Sequence, residues 1–384
     1  MKNKVVLVLK EDIMLYPPVL SIINVLIELG YQVIHIGVYS DQMEKQQLED
    51  RGVLFCSTIE YNGRDSLLKK AYNQICFRHQ VKSYLKDLHL TGNDYVWMMQ
   101  SETVCLLSSL VKKYRTILHF FESVDSKVSW KYRILAPLFS MSNTIKKSNK
   151  VVCCEYNRAQ ILKGLFQLDV LPYVLPNKPY IDESKLNSPP NEIERLVTEL
   201  GNKLEGKKVI LYQGIFLNVE RRLDEFCQAV QGMPDDYVFL AMGRDTPMYE
   251  ELKEKYASEK IVFLPFIKPP YHLLVTRLAS VGVLSYFPRP NSISSILNPL
   301  YCAPNKIFEY AKFGIPMVSN DIPGLHYIYL EHKCGECIPY PLSPQNIERT
   351  ILKVFEHYEC YSKGALSYYD SIDFKQIIAD ILGE

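Results

Sequence analysis

Apolar and polar positions along this chain fall into two successive blocks with the same rhythm. Val5–Leu9 is an unbroken apolar run, the pattern of a strand buried on both faces of a parallel sheet. Pro17 and Pro18 punctuate the chain. Val19–Leu29 then carries apolar residues at helical spacing, and Gly30 ends it. Val33–Val38 reads as the next strand. Strand, helix and strand joined by short loops make a βαβ unit. Val53–Phe55, Tyr95–Met99, Thr116–Phe121 and Val151–Cys154 continue as strands, with helical stretches at Ser66–Leu88 and Trp130–Lys147. Tyr173–Leu175 then runs into Pro176-Asn177-Lys178-Pro179, followed by the polar, proline-rich stretch from Asn187 to Asn191. That composition marks a domain boundary. Beyond it the alternation restarts. Lys208–Tyr212, Tyr237–Met242, Ile261–Leu264, Val281–Ser285 and Pro316–Ser319 read as strands. Leu223–Gln231, Pro247–Ala257, Tyr271–Leu278 and Lys306–Phe313 read as the helices between them. The pattern predicts an α/β chain of two doubly wound domains whose sheets face across a cleft. Ligands in such sheets bind outside the carboxyl ends of the strands.

Length and charge narrow the function. A chain of 384 residues is long enough for two domains, each with its own core. Its 44 Lys+Arg against 43 Asp+Glu lack the basic excess of a nucleic-acid binder, so no nucleic-acid partner is expected. The five-residue run Val5–Leu9 is too short for a signal peptide, and no apolar stretch has the length of a membrane span. These features predict a cytoplasmic chain whose ten scattered cysteines stay reduced. Cys334-Gly-Glu-Cys337 has the spacing of a metal or redox pair but lacks a second pair, and is read as an ordinary loop. No His/Asp cluster shows ligand spacing, so no metal is expected.

Candidate chemistry concentrates in the stretch from Ala303 to Leu325. Pro304 and Asn305 open a helix that Gly314 ends, and Pro316 leads into a short buried strand. Lys306 and Glu309, three apart, share one helix face. A lysine near a helix start reinforces an anion site made of free N–H groups. A glutamate one turn on can accept hydrogen bonds from a vicinal diol. An exposed ion pair between the two is the competing reading. The stretch resembles the donor segment of GT-B glycosyltransferases of the large "group 1" (family 4-like) class, P-N-K-x-F-E-Y-x-x-x-G-x-P-x-V. Pro304, Asn305, Lys306, Phe308, Glu309, Tyr310, Gly314, Pro316 and Val318 occupy its fixed positions. The resemblance implies that Glu309 binds the nucleotide ribose and that Asn305 and Lys306 lie by the diphosphate or sugar. Many members carry another Glu eight residues earlier; here that position is Tyr301.

Two further segments agree in order. Val209–Tyr212, Gln213-Gly214 and Glu220-Arg221-Arg222 are similar to the family's strand, glycine turn and basic helix start. Gly214 would let backbone approach a phosphate, and Arg221 offers planar bidentate donors. Arg222 stands where a Gly is common, so it crowds the turn or adds a second cation; two solvated arginines are the alternative. Ile261 through Phe266 and Ile267 resembles the strand and loop that contact the base, though a plain strand end reads the same way. The resemblance is specific from about Lys207 to Leu325. In the first block Lys10–Pro18 lacks the family's glycines, and Phe121 replaces the His of a strand ending in His-Glu. Glu122 remains a candidate general base or a satisfied carboxylate, and His119 should pack within the sheet. The fold implied is GT-B: a Rossmann-like acceptor domain over residues 1–178, a linker at 179–206, and a Rossmann-like donor domain at 207–362. A terminal helix at 363–384 would cross back to the first domain.

The activity implied is transfer of a sugar from a nucleotide-diphosphate donor to a saccharide or lipid-linked acceptor, in surface polysaccharide or glycolipid synthesis. Lys306 and Arg221 would neutralise the leaving diphosphate, with no cofactor or metal, and configuration would mostly be retained. Basic residues gather at Lys69, Lys70, Arg78, His79, Lys82 and Lys86, and again at Lys127, Lys131, Arg133, Lys146 and Lys147. Such a surface suits peripheral contact with an anionic membrane, or is an ordinary solvated helix face. A sugar-nucleotide 2-epimerase on the same fold is the rival reading, with His326 its one candidate near the motif. A non-catalytic nucleotide-sugar-binding protein is the other.

Overall fold

The computed structural model describes residues 3–60, 65–124 and 139–383. The chain divides into two compact units. One runs to Tyr180 and takes back the chain from Asp373; the other spans Ile181–Ile372.

In the first unit, β1 (Lys4–Asp12), β2 (Gln32–Val38), β3 (Leu54–Ser57), β4 (Tyr95–Met99), β5 (Thr116–Phe120), β6 (Lys150–Cys153) and β7 (Tyr173–Val174) form one parallel sheet. Its order is β3-β2-β1-β4-β5-β6-β7. The order reverses between β1 and β4, the switch point at which such sheets bind ligands. Because side chains alternate faces, Val5, Leu7 and Leu9 enter one core layer while Val6 and Val8 enter the other. The helices Pro17–Glu28 and Leu67–Asp87 cover the two layers.

In the second unit, β8 (Lys208–Gly214), β9 (Tyr237–Gly243), β10 (Ile261–Leu264), β11 (Val281–Leu284), β12 (Met317–Asn320) and β13 (Gly335–Ile338) make a parallel sheet ordered β10-β9-β8-β11-β12-β13. Val209 and Leu211 face one layer, and Ile210 and Tyr212 the other. The switch here lies between β8 and β11. Each aliphatic side chain so buried contributes roughly 1.5–3 kcal/mol over exposure.

Three expectations need revision. Residues 179–206 are not a bare linker. They hold the helices Glu183–Asn187 and Asn191–Lys203, and Ile193, Leu196 and Val197 pack on the second unit's core. The polar composition of this stretch hid an amphipathic helix. The terminal helix is two helices: Tyr358–Ser371 stays with the second unit, where Tyr368 stacks on Phe308 at 5.3 Å. Only Phe374–Leu382 joins the first, capped by Asp373 and held by the Tyr95 hydroxyl donating to the Leu382 carbonyl at 3.1 Å. Cys337, read as loop, sits on strand β13. Of the predicted helix Trp130–Lys147, Met141–Lys147 is helical, and residues 125–138, with Lys127, Lys131 and Arg133, lie outside the described residues.

Candidate functional site

The second unit's switch point gathers the donor candidates. β8 ends at Gly214, whose φ of +138° favours glycine. A Cβ there would lie 2.7 Å from the Lys306 ammonium, so only a glycine leaves room for it. Lys306 comes from the helix Asn305–Lys312, which starts behind Pro304. That helix is seated by Tyr310, whose hydroxyl donates to the Leu211 carbonyl at 3.0 Å. The Tyr310 ring lies flat on β11 because residue 282 is glycine; a Cβ there would meet it at 2.4 Å. Ile307, Phe308 and Ala311 bury the inner face. Side chains one turn apart then place Lys306 and Glu309 together, as their spacing predicts.

Lys306 Nζ lies 4.6 Å from the Tyr212 ring centre and 5.5 Å from that of Tyr286. The Arg221 guanidinium lies 4.5 Å from the same Tyr286 ring. Two cations thus approach one aromatic ring. Burial, and then the Arg221 charge, lower the Lys306 pKa to about 7. Among the described residues no carboxylate stands within ion-pair distance of the Lys306 ammonium. Arg221 reaches Glu220 only at 3.9 Å, and its Nε is buried without a partner. Buried donors without partners mark a place for a ligand atom. Ser285 holds the Arg221 backbone by donating to its carbonyl.

Glu309 is buried beside this cation pair. Gln213 Nε2 donates to its Oε2 at 2.6 Å, and His272 Nε2 lies 3.3 Å from its Oε1. Thr276 in turn donates to Gln213 at 2.8 Å. Burial pushes the Glu309 carboxyl up, but His272, Gln213 and Lys306 outweigh it and hold it below the usual range. A carboxylate offers about four lone-pair directions, so each oxygen keeps an unused acceptor direction. The competing reading, an exposed ion pair between Lys306 and Glu309, is not what the fold forms: among the described residues the two make no ion pair, and Glu309 is buried.

The remaining candidates separate. Arg222 adopts a φ of +44°, which accounts for the glycine common there, and its guanidinium binds Glu225 and covers Phe287 at 5.1 Å. Phe266 is exposed with Arg244 4.7 Å above its ring, whereas Ile267 is buried in the core. Asn305 is the first helical residue, half-buried. Glu122 belongs to the first unit and is exposed after β5. His119 packs within the sheet, 4.2 Å from Phe121, and burial lowers its pKa to about 3. His326 pairs with Asp321 on the helix after β12. Tyr286, His272 and Thr276 were not foreseen. Tyr286 follows β11, the neighbour of β8, so the switch-point rule alone could have found it.

The first unit's switch point is acidic. Lys10, at the end of β1, is buried and bonds Glu11 at 3.2 Å and Glu102, which lies beyond β4. Glu11 Oε2 is buried without a partner, and burial raises the Glu11 pKa. Gln100, between β4 and Glu102, holds a φ of +69°. Glu11 and Glu102 are far apart in the sequence, and only the β1–β4 pairing brings them together.

No family model and no curated protein matches the chain. Solved structures do. HepE of Anabaena, in complex with UDP and glucose, matches at TM-score 0.67 with 13% identity, covering 100% of both chains. WaaG, a glycosyltransferase involved in lipopolysaccharide biosynthesis, matches at 0.60 with 13% identity over 99% of each chain. A putative UDP-N-acetylglucosamine 2-epimerase from Listeria monocytogenes matches at 0.65 with 12% identity, over 99% of this chain and 96% of that one. Two activities on one architecture mean that the likeness speaks to fold. The two parallel sheets and the full-length matches agree: this chain has the GT-B fold, two Rossmann-like units of the kind found in GT-B glycosyltransferases.

Proposed function

We propose that the chain transfers a sugar from a nucleotide-diphosphate donor held at the switch point of its second unit. The observation that carries this reading is the Lys306–Arg221 pair on the Tyr286 ring, two cations of which Lys306 has no carboxylate at ion-pair distance among the described residues and Arg221 reaches Glu220 only at 3.9 Å. Such a pair stabilises the charge that grows on a departing diphosphate. Lys306 and Arg221 are the catalytic cations, Gly214 and Asn305 border the phosphates, and Glu309 takes the ribose hydroxyls. Phe266 and the Ile267 backbone flank the base. Side-chain cations do the neutralising work, so no metal enters this step. Retention of configuration and a hexosyl group belong to the same proposal.

The acceptor goes to the first unit. Glu11 and Glu102 around Lys10 give its switch point a net negative charge, suited to a hydroxyl-rich saccharide rather than an anionic group. Glu122, exposed at the end of β5, serves as base for the acceptor hydroxyl in this scheme. A lipid-linked acceptor, in surface polysaccharide or glycolipid synthesis, fits the exposed face of the helix Leu67–Asp87, which carries Leu68, Tyr72 and Ile75 beside Lys82 and Lys86.

A calorimetric screen of nucleotide-diphosphate sugars tests the donor site. Binding by the wild type and its loss in Lys306→Ala and Arg221→Ala supports the proposal; equal binding by all three removes it. Incubating the bound sugar nucleotide without acceptor separates the rival, because an epimerase alone turns it over.

A further inference from the structure

We propose that Asp321, His326 and Cys337 form a binding site for one divalent cation of the zinc class, with water as a fourth ligand. The three come from separate elements. Asp321 directly follows β12, His326 lies on the helix Pro323–His332, and Cys337 is on β13. Their ligand atoms all lie within 4.8 Å of one another. None of the three belongs to the donor set, and the site stands whether or not the chain transfers sugars.

The fold brings these residues together through two glycines. Gly335 lets β13 lie close along β12, since a Cβ there would sit 2.2 Å from the Met317 carbonyl oxygen. That pairing sets Cys337 beside Ser319, two residues before Asp321. Gly324 lets the following helix start against the chain before the donor helix; a Cβ there would meet Tyr301 Cα at 2.9 Å. From the first turn of that helix His326 reaches back, and its Nδ1 lies 2.7 Å from Asp321 Oδ1. Cys334 does not join them: it is core, with its Sγ 3.9 Å from the Ile328 carbonyl.

The donor set decides the ion. Thiolate and imidazole favour zinc-class metals, and a carboxylate completes a set that magnesium or calcium would not choose. In a tetrahedral zinc site the bonds run about 2.0–2.3 Å, which puts ligand atoms about 3.5 Å apart. The present spread, up to 4.8 Å, therefore needs a contraction of about 1.3 Å at most, with the His326–Asp321 contact opening slightly. Asp321 and His326 have side chains 50% and 46% exposed, so water can reach the fourth position. Three protein ligands plus an open position is a common zinc arrangement. A bound metal would tie the edge strand β13 to the helix that abuts Tyr301.

Cobalt titration of the metal-free full chain is the test, because a thiolate ligand gives cobalt a charge-transfer absorption. The wild type should take up one cobalt with that band, Cys337→Ser should lose the band, and His326→Ala and Asp321→Asn should each weaken binding at least about 100-fold. Zinc should raise the melting temperature of the wild type and leave His326→Ala unchanged. A wild type without the band overturns the site. So does a band that persists in Cys337→Ser, which would place the metal on another thiol such as the exposed Cys360. Should Cys337→Ser fold poorly, His326→Ala, altered at the surface, decides alone: unchanged cobalt affinity there ends the proposal.

Discussion

The ammonium of Lys306 occupies the space that a side chain on Gly214 would need, 2.7 Å from the position of its Cβ. Gly214→Ala therefore displaces the cation and also forces alanine to a φ of +138°, a strain on the order of 1–3 kcal/mol. Affinity for a nucleotide-diphosphate sugar should fall about tenfold or more, with a modest drop in melting temperature. Calorimetry and thermal unfolding read the two effects separately. A variant that loses stability but binds the donor normally would show that Lys306 does not touch the diphosphate.

Lys306 also predicts a pH dependence. Its folded pKa is about 7, below the ordinary value of 10.5. Between those values the unfolded chain holds a proton that the folded chain has released, so stability without ligand should rise with pH across that window. A bound diphosphate reverses the preference, because an anion favours the charged lysine. Donor binding should therefore take up protons near neutral pH and weaken as pH rises past 7. A sugar nucleotide is the right ligand, since its phosphates do not titrate there. Calorimetry in buffers of different ionisation enthalpy should detect the uptake in the wild type and not in Lys306→Ala.

Glu309 should discriminate ribose. Glu309→Ala removes a charge-assisted hydrogen bond, worth roughly 1.5–3 kcal/mol, so ribonucleotide affinity should fall at least about tenfold. The affinity for the 2′-deoxy analogue should fall much less, because that ligand offers no diol. The loss of Glu309 also strips partners from Gln213 and His272. Glu309→Gln, which keeps the shape, separates that packing effect from recognition. An equal loss for both sugars would reassign Glu309 to holding Gln213 and His272 in place.

The strands were legible because both sheets are parallel and buried, so each strand shows as an apolar run between polar turns. Tyr95–Met99 and Ile261–Leu264 coincide with their predicted limits. Short amphipathic helices were less visible. Asn191–Lys203 buries only Leu200 fully, and its charged residues read as linker. In the proposed donor site the motif named Lys306 and Glu309 by number, since one helix carries both. It could not give Tyr286, in the loop after β11, or His272, at the start of the helix His272–Thr276. Nor could it give the pairing of Ser319 with Cys337, a consequence of strand register alone. Arg222 shows the reverse case. A departure from the expected glycine was visible in the sequence, but its positive φ and its tie to Glu225 are facts of the fold.

The helix Leu67–Asp87 yields the last prediction. Leu68, Tyr72, Ile75, His79, Lys82 and Lys86 recur at steps of four and three, which puts them in one stripe along the helix. Leu68 is 86% exposed and Tyr72 63%, while the opposite side buries Phe77, Val81 and Leu85. Large apolar side chains this exposed are costly in water and favourable at a lipid surface. No helix among the described residues is long and apolar enough to cross a membrane. Each lysine near an anionic surface adds about 1 kcal/mol. Lys82→Glu with Lys86→Glu should therefore weaken cosedimentation with anionic vesicles at least about tenfold, and added salt should weaken the wild type in the same direction. Leu68→Ser with Tyr72→Ser should reduce binding to anionic vesicles at high salt as well, because insertion does not depend on charge. Equal recovery of all forms with neutral and anionic vesicles at low salt would assign the stripe to solvent and the acceptor to the aqueous phase.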